Sequence, residues 1–379
     1  MKARVVIAGG GVAALEAALA LRELAGERAE VEIFSPRREF VYRPYAVGKP
    51  FGAAPIKSYD VAALATRCGA GFHPESIASV DASARLATTH DGVSVPYDYL
   101  LLAPGVSRQW PVPGATTFWG IADVSEVEQV MDRIRAGESR RVAFTMPGVD
   151  SWALPMYELA LLTEARLARE GIEDVELTIV TPEEAPLQVF GRGVGEAMAE
   201  LLRERGIGVV AQAHPVRFHE GLLQTVPGEP ICCDEVISLP RLEGRAIRGV
   251  LHDPHGFARV DDHCRVLKRE RIYAAGDVTS FPVKQGGIAA QQADVAAEAI
   301  AADLGVPIEP QSFDPILRGV LWTGHQPLYL QGWLAGGHGE TSTLSEQPPW
   351  EQGTDKIVAR RLTAFLAEVD ADHDVALRA

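Results

Sequence analysis

Three glycine-bearing turns carry the chemistry that this sequence can do. The first lies in Val5-Val6-Ile7-Ala8-Gly9-Gly10-Gly11-Val12-Ala13-Ala14, a short apolar run followed by glycines and an Ala/Leu-rich stretch. Gly9 permits a tight strand-to-helix turn, and Gly11 lets the backbone approach a pyrophosphate. Ala14 stands in the place of a third glycine and still packs a helix closely on a strand. The helix N-terminus then offers free N–H groups and the positive end of its dipole to a diphosphate. A second strand-like run, Val31-Glu32-Ile33-Phe34-Ser35, follows, which supplies the strand–turn–helix–strand context of dinucleotide binding. An acid usually ends that second strand and binds the adenosine ribose. Ser35 stands there instead, a weaker partner for a hydroxyl, and Arg37 and Arg38 beside it suit a 2′-phosphate or, the preferred reading, are solvated loop charges.

The second turn is far downstream. Arg271-Ile272-Tyr273-Ala274-Ala275-Gly276-Asp277-Val278 reads as a buried strand ending in Gly-Asp, and Pro282-Val283-Lys284-Gln285-Gly286-Gly287 leads into an Ala/Gln-rich helix. The third, Asp98-Tyr99-Leu100-Leu101-Leu102-Ala103-Pro104-Gly105, is a strand ending in an Ala-Pro-Gly turn. Together the three motifs resemble, in their order, the FAD-dependent flavoproteins with two dinucleotide domains, the pyridine nucleotide-disulfide oxidoreductase-like family. The resemblance covers most of the chain and implies FAD as cofactor. It assigns the cofactor to Gly9, Gly11, Ala14, Ser35, Arg43, Pro44, Ala103, Gly105, Gly276, Asp277, Lys284, Gln285 and Gly286. In such proteins the aspartate matching Asp277 binds the ribityl chain, and the helix after Gln285 aims its N-terminus at the flavin pyrimidine. The loop Phe40-Val41-Tyr42-Arg43-Pro44-Tyr45 is expected along the flavin edge. There Arg43 can pair with diphosphate or a developing anion, and Tyr42 and Tyr45 can stack on a substrate ring or pack in the core.

These motifs need elements to hold them. The chain has 379 residues, 47% apolar and 23% charged, enough for two or three domains. A net charge of −15 argues against a nucleic-acid surface. The expected architecture is α/β with two Rossmann-like domains. Residues 1–114 form the first part of an FAD domain, 115–240 an inserted NAD(P)-like domain, 241–320 the second part of the FAD domain, and 321–379 a C-terminal region. In the inserted domain Ser125 is the expected cap of a helix, Val142–Met146 a strand, Trp152–Glu170 a long helix, Val175–Thr181 a strand and Gly195–Arg205 a further helix. The chain is expected to return to the first domain near Val236–Pro240. The span Trp322–Trp350 reads as loops and short strands. Lys356–Val369 reads as a helix with a basic start, packed on the body or, as in related quinone-reducing flavoproteins, touching a membrane. No apolar stretch of spanning length, no leader before the first strand and only four cysteines give a cytoplasmic expectation, with the inner membrane face as a peripheral site.

The inserted domain narrows the resemblance. Met146 and Pro147 stand where its own turn needs glycines, so the nicotinamide pyrophosphate turn is damaged. Type II NADH dehydrogenases keep that turn, whereas sulfide:quinone oxidoreductases lack it and begin the next helix with Pro-x-Tyr-Glu, as Pro155-Met156-Tyr157-Glu158 does here. Yet the cysteines those enzymes place beside the flavin are missing. Trp152 holds the approximate first position and none follows Cys264. Cys68, in a surface helix-like segment, and Cys232, Cys233 and Cys264 have no expected redox role. Glu158 matches a helix glutamate near the flavin in both relatives, as proton donor or as exposed acid, and Lys284 matches a lysine at the flavin pyrimidine edge. Both are the candidate catalytic residues. No metal is expected, because the histidines lack ligand spacing. The resemblance implies two-electron transfer from an unidentified small-molecule donor to a quinone-like acceptor. The alternatives are an NAD(P)H-dependent FAD reductase with a non-standard nucleotide site, and a flavin-binding protein without turnover. Oligomeric state is not legible here.

Overall fold

The computed structural model describes residues 2–149, 151–335 and 338–378. Met1 and Ala379, the outer ends of the expected first and last regions, lie outside the described residues, as do Asp150 and residues 336–337. The first sheet has five parallel strands in the order Ile272–Ala274, Tyr99–Leu102, Ala3–Ala8, Ala29–Phe34, Gly71–His73. Val5, Val6 and Ile7 in its central strand are wholly buried. Both faces are covered, so Val5–Ala8, Tyr99–Leu102 and Ile272–Ala274 are apolar runs, whereas Ala29–Phe34, nearer the edge, keeps Glu30 and Glu32. On one face, helices Val12–Leu24 and Gly286–Asp303 pack through alanines, among them Ala13, Ala17, Ala289 and Ala293. Side chains this short let two helix axes approach closely. On the other face lies an antiparallel sheet of Ile77–Asp81, Leu86–Thr89 and Ser94–Pro96.

From Ala3–Ala8 the chain steps first to Ala29–Phe34 on one side and later to Tyr99–Leu102 on the other. The crevice between Ala3–Ala8 and Tyr99–Leu102 is therefore a topological switch point, where open α/β sheets bind ligands. Gly9, Ala103–Gly105 and Gly276–Asp277 all follow the carboxyl ends of neighbouring strands in this region.

A second parallel sheet has the order Thr116–Thr117, Glu235–Ser238, Arg141–Thr145, Glu176–Val180, Ile207–Val210. The return expected near Val236 comes one strand later, since Glu235–Ser238 still pairs in this sheet and Arg241–Gly244 pairs with Val106–Gln109. The helices here run Val124–Arg135, Leu154–Glu170 and Arg192–Glu204. Ser125 lies inside the first of these rather than capping it. Asp123 precedes the helix and turns its carboxylate back to the N–H groups of Trp119 and Gly120, 2.8 and 3.0 Å away. Pro155 sits in the first turn of its helix, where a missing N–H costs nothing.

A further antiparallel sheet of Ile316–Leu321, Leu328–Ala335 and His338–Ser345 gives the tail longer strands than its composition suggested. The last helix runs Leu362–Arg378 and does not begin at Lys356. Other elements claim the preceding backbone: Ile357 N–H donates to the Tyr42 hydroxyl at 2.8 Å, and Arg361 and Leu362 N–H donate to the Glu16 carboxylate at 2.8 and 2.6 Å. Leu362, Phe365 and Leu366 are buried in the core of the first domain, so the helix lays its apolar face on the body and not outward. Among the described residues no helix is long and apolar enough to cross a membrane.

Candidate functional site

The dinucleotide cradle is built by backbone geometry. Gly9 has φ +145°, and an added Cβ would stand 2.0 Å from the Ala103 carbonyl oxygen, so only glycine fits. Gly11 immediately precedes helix Val12–Leu24, which has no side-chain cap, and the space a Cβ would take at Gly11 is open. The first-turn N–H groups therefore lie beside room for an anion. Ala14 is fully buried, and Gly105, at φ +72°, is open where a side chain would project. Gly276 is wedged between the methyl groups of Ala13 and Ala289, each 3.2 Å from its missing Cβ, while the Gln292 side chain accepts its N–H at 2.8 Å. Gln292 lies 16 positions after Gly276, and its role is not legible in the sequence because it depends on how helix Gly286–Asp303 folds back on the turn.

Around the cradle, Arg43 stands 3.8 Å from the Asp277 carboxylate, with its guanidinium 4.0 Å from the centre of the Trp119 ring. Pro44 lies in the first turn of the 3-10 segment Arg43–Phe51. The Ser35 hydroxyl is engaged in its own turn, donating to the Arg37 carbonyl at 3.1 Å. Gln285 caps helix Gly286–Asp303 by accepting Ile288 N–H at 2.9 Å, and its amide donates to the Arg318 carbonyl at 3.0 Å. Ile357 packs over Gly286, 3.0 Å from the position of its missing Cβ. The Lys284 ammonium donates to the Thr279 and Phe281 carbonyls at 2.5 and 2.7 Å and lies 3.9 Å from the Phe257 ring centre, so it ties this turn together.

Tyr157 and Glu158 are neighbours on one helix and point to different partners. Glu158 is 1% exposed, which corrects the exposed-acid alternative. It forms an ion pair with Lys356, itself buried, and accepts the Trp322 N–H at 2.8 Å. Burial pushes the Glu158 carboxyl up against the pull of Lys356, and burial pulls the Lys356 ammonium down against the pull of Glu158. Lys356 lies 4.1 Å from the centre of the Trp322 ring, and Trp322 meets Tyr45 at 5.2 Å. Tyr42 and Tyr45 both donate to Asp355, at 2.7 and 3.0 Å. The two tyrosines are thus held by hydrogen bonds in a packed cluster. In the sequence Lys356 reads as the basic start of a helix, whereas here it is a buried ion-pair partner. Tyr157 faces the other way and donates to the Glu183 carboxylate at 2.5 Å, where Thr181 donates at 2.9 Å.

A family model described as pyridine nucleotide-disulphide oxidoreductase matches residues 3–299. The chain belongs to this family. Its members are FAD-dependent oxidoreductases, and FAD is the cofactor for which this cradle is built. The sulfide-quinone reductase of Aquifex aeolicus (strain VF5) is 28% identical over 221 residues, which are 56% of this chain and 51% of that protein. The alignment thus spans about half the length of that relative. The mitochondrial sulfide:quinone oxidoreductase of Dictyostelium discoideum is 23% identical over 96% of this chain and 83% of its own. The solved sulfide:quinone oxidoreductase of Aquifex aeolicus shares the fold, with TM-score 0.79 at 21% identity over 91% of this chain and 87% of that one.

The residues of this family member fit an FAD. The open space at Gly11 and Gly105, the uncapped helix beside it, and the carboxylate of Asp277 are what a diphosphate and a polyol chain need. Cys68, expected near the surface, is buried, as are Cys233 and Cys264, while Cys232 is exposed. Burial pushes the thiols of Cys68 and Cys233 up to about 11 and that of Cys264 higher still. None of these three is a ready thiolate nucleophile near neutral pH. No group of three metal-ligating side chains occurs among the described residues.

Proposed function

We propose that this oxidoreductase passes electron pairs from a small donor other than a nicotinamide nucleotide to a quinone-like acceptor, with Glu158 as the proton carrier. FAD, when bound, supplies two-electron storage between donor and acceptor. A quinone taking two electrons also takes two protons to become a quinol. A buried carboxyl with a raised pKa, paired with a buried ammonium, can deliver a proton and recover one. The Glu158–Lys356 pair beneath Trp322 is the observation that carries this reading. Direct contacts link it to the cradle. Asp277 meets Arg43, Tyr42 next to Arg43 accepts from Ile357, and Ile357 adjoins Lys356. The similarity to sulfide:quinone oxidoreductases supports the acceptor class.

The state of the inserted domain supports a donor other than NADH or NADPH. Glu183 follows strand Glu176–Val180, where a ribose-binding acid belongs, yet it is 2% exposed and bonded to Tyr157 and Thr181. Met146 fills the core where a turn glycine would stand, and Pro147 has no N–H for a phosphate. The deciding experiment uses Glu158→Gln, which keeps the shape and removes the titrating group. After anaerobic chemical reduction of the bound FAD, reoxidation by a short-chain quinone should slow by about 10²–10³-fold, with flavin content unchanged. An unchanged rate would remove Glu158 from the proton path.

A further inference from the structure

Beside helix Gly286–Asp303 lies an open cavity of about 210 Å³ whose lining includes neither Glu158 nor the glycine turns of the cradle. Its walls are that helix, strand Ile316–Leu321 and the irregular chain before the last helix, and a single water takes only roughly 30 Å³. The polar groups on its walls are Gln291, Asp294, Arg318, Gln352 and Arg360.

Most acceptors there are already taken. The Asp294 carboxylate is held by Arg361 at 2.6 Å. Gln291 donates to the Gly287 and Ile316 carbonyls and accepts the Ile316 N–H. Arg318 differs, because its Nε is buried and makes no hydrogen bond among the described residues. Burial lowers the pKa of its guanidinium, and no carboxylate contributes to restore it. Removing a donor from water without a partner costs about 1–3 kcal/mol, more when the group is charged. Arg360 is exposed; its charge acts on Asp294 and Glu23, but no carboxylate lies within ion-pair distance of it among the described residues. Two guanidiniums and the Gln352 amide thus face a space whose one carboxylate is engaged elsewhere. A guanidinium's planar fork of donors matches an oxyanion, and its weak hydration eases desolvation.

We propose that this cavity binds a phosphate-type oxyanion through Arg318 and Arg360. The site is specific against the field of the whole molecule, since a net charge of −15 repels anions from unspecialised surface. Its oxyanion has two possible sources: free inorganic phosphate and the headgroup of an anionic phospholipid. The test uses the flavin-loaded full chain. Inorganic phosphate, compared with chloride at equal ionic strength, should raise the thermal midpoint saturably. Arg318→Met and Arg360→Gln should each weaken the apparent affinity by about 10-fold or more. Without phosphate, Arg318→Met should unfold no earlier than the wild type, because it removes an unpartnered donor. Arg360→Gln alters an exposed residue and keeps the test open if the first variant misfolds. Cosedimentation with phosphatidylcholine vesicles, with and without phosphatidylglycerol, separates the sources. Binding to the anionic vesicles that both variants lose, without a phosphate shift, assigns the oxyanion to a headgroup. Phosphate and vesicle effects that are both absent, or that neither variant changes, overturn the proposal.

Discussion

Substituting Glu183 by Gln should make the protein more stable at alkaline pH and cost about 1 kcal/mol at acid pH. Glu183 is buried, and burial raises its pKa from the ordinary 4.5 to about 7, although Tyr157, Thr181 and the Gln188 N–H all favour the charged form. A carboxyl whose pKa rises on folding binds its proton more tightly in the native state. The stability this contributes is complete below pH 4.5 and is lost as pH climbs through 7. At about 1.4 kcal/mol for each pH unit, the span from 4.5 to about 7 corresponds to roughly 3 kcal/mol lost by pH 8. Glutamine keeps a carbonyl oxygen for Tyr157 and Thr181 and cannot ionise, so the variant should recover most of that, less about 1 kcal/mol for its imperfectly paired amide. Urea unfolding of the flavin-loaded protein and the variant, followed by circular dichroism between pH 5 and 8.5, gives the comparison. Asp294 is also pushed up to about 7, but it is common to both proteins and cancels in the difference. A variant-minus-wild-type difference that stays constant across this range would refute the reasoning.

Three further outcomes are expected. Gly11→Glu places a negative side chain in the open space beside the uncapped helix, so the purified protein should lose its yellow colour and fail to reconstitute with FAD; visible absorbance after dialysis against FAD checks this. NADH and NADPH should reduce the flavin slowly and without saturation up to millimolar levels in stopped-flow mixing, whereas saturable reduction at about 10 s⁻¹, a typical turnover number, would restore a nicotinamide donor. Lys356→Met leaves Glu158 buried without its cation and should cost about 3–5 kcal/mol. Adding Glu158→Gln to that variant should recover a large part of the loss, so thermal unfolding of both singles and the double should show clear non-additivity.

The strand–turn–helix around Gly9 was legible in the sequence because its pattern is local. Gly9 is glycine because its own φ and the nearby Ala103 carbonyl allow nothing else, and the strand–turn–helix pattern around it lies within one short segment. The Glu158–Lys356 pair was not legible, since its members are 198 positions apart and Lys356 precedes an apolar run that looks like a helix start. That apolar run reads equally well as a helix face or as an irregular stretch pinned by Tyr42 and Glu16, and only the partners decide. Cys264 shows another limit. Its neighbours Asp261, Asp262 and His263 are polar, yet its thiol is buried, 1% exposed. Composition reports the turn and not the direction of a side chain within it.

The reach of the closing contacts sets the order in which this molecule can be made. Glu16, on the first helix, receives the N–H of Leu362, 346 positions later, and Tyr42 receives that of Ile357, 315 positions later. Gly276 completes the crevice beside Ala13. During synthesis the early strand and helix emerge long before these partners exist, and contacts of such separation form slowly because their loops must close first. Capture of the flavin is therefore a late event on the ribosome or one that follows release. Until then the N-terminal segment carries an apolar strand and an alanine-rich helix whose later partners, helix Gly286–Asp303 and the last helix, are not yet made.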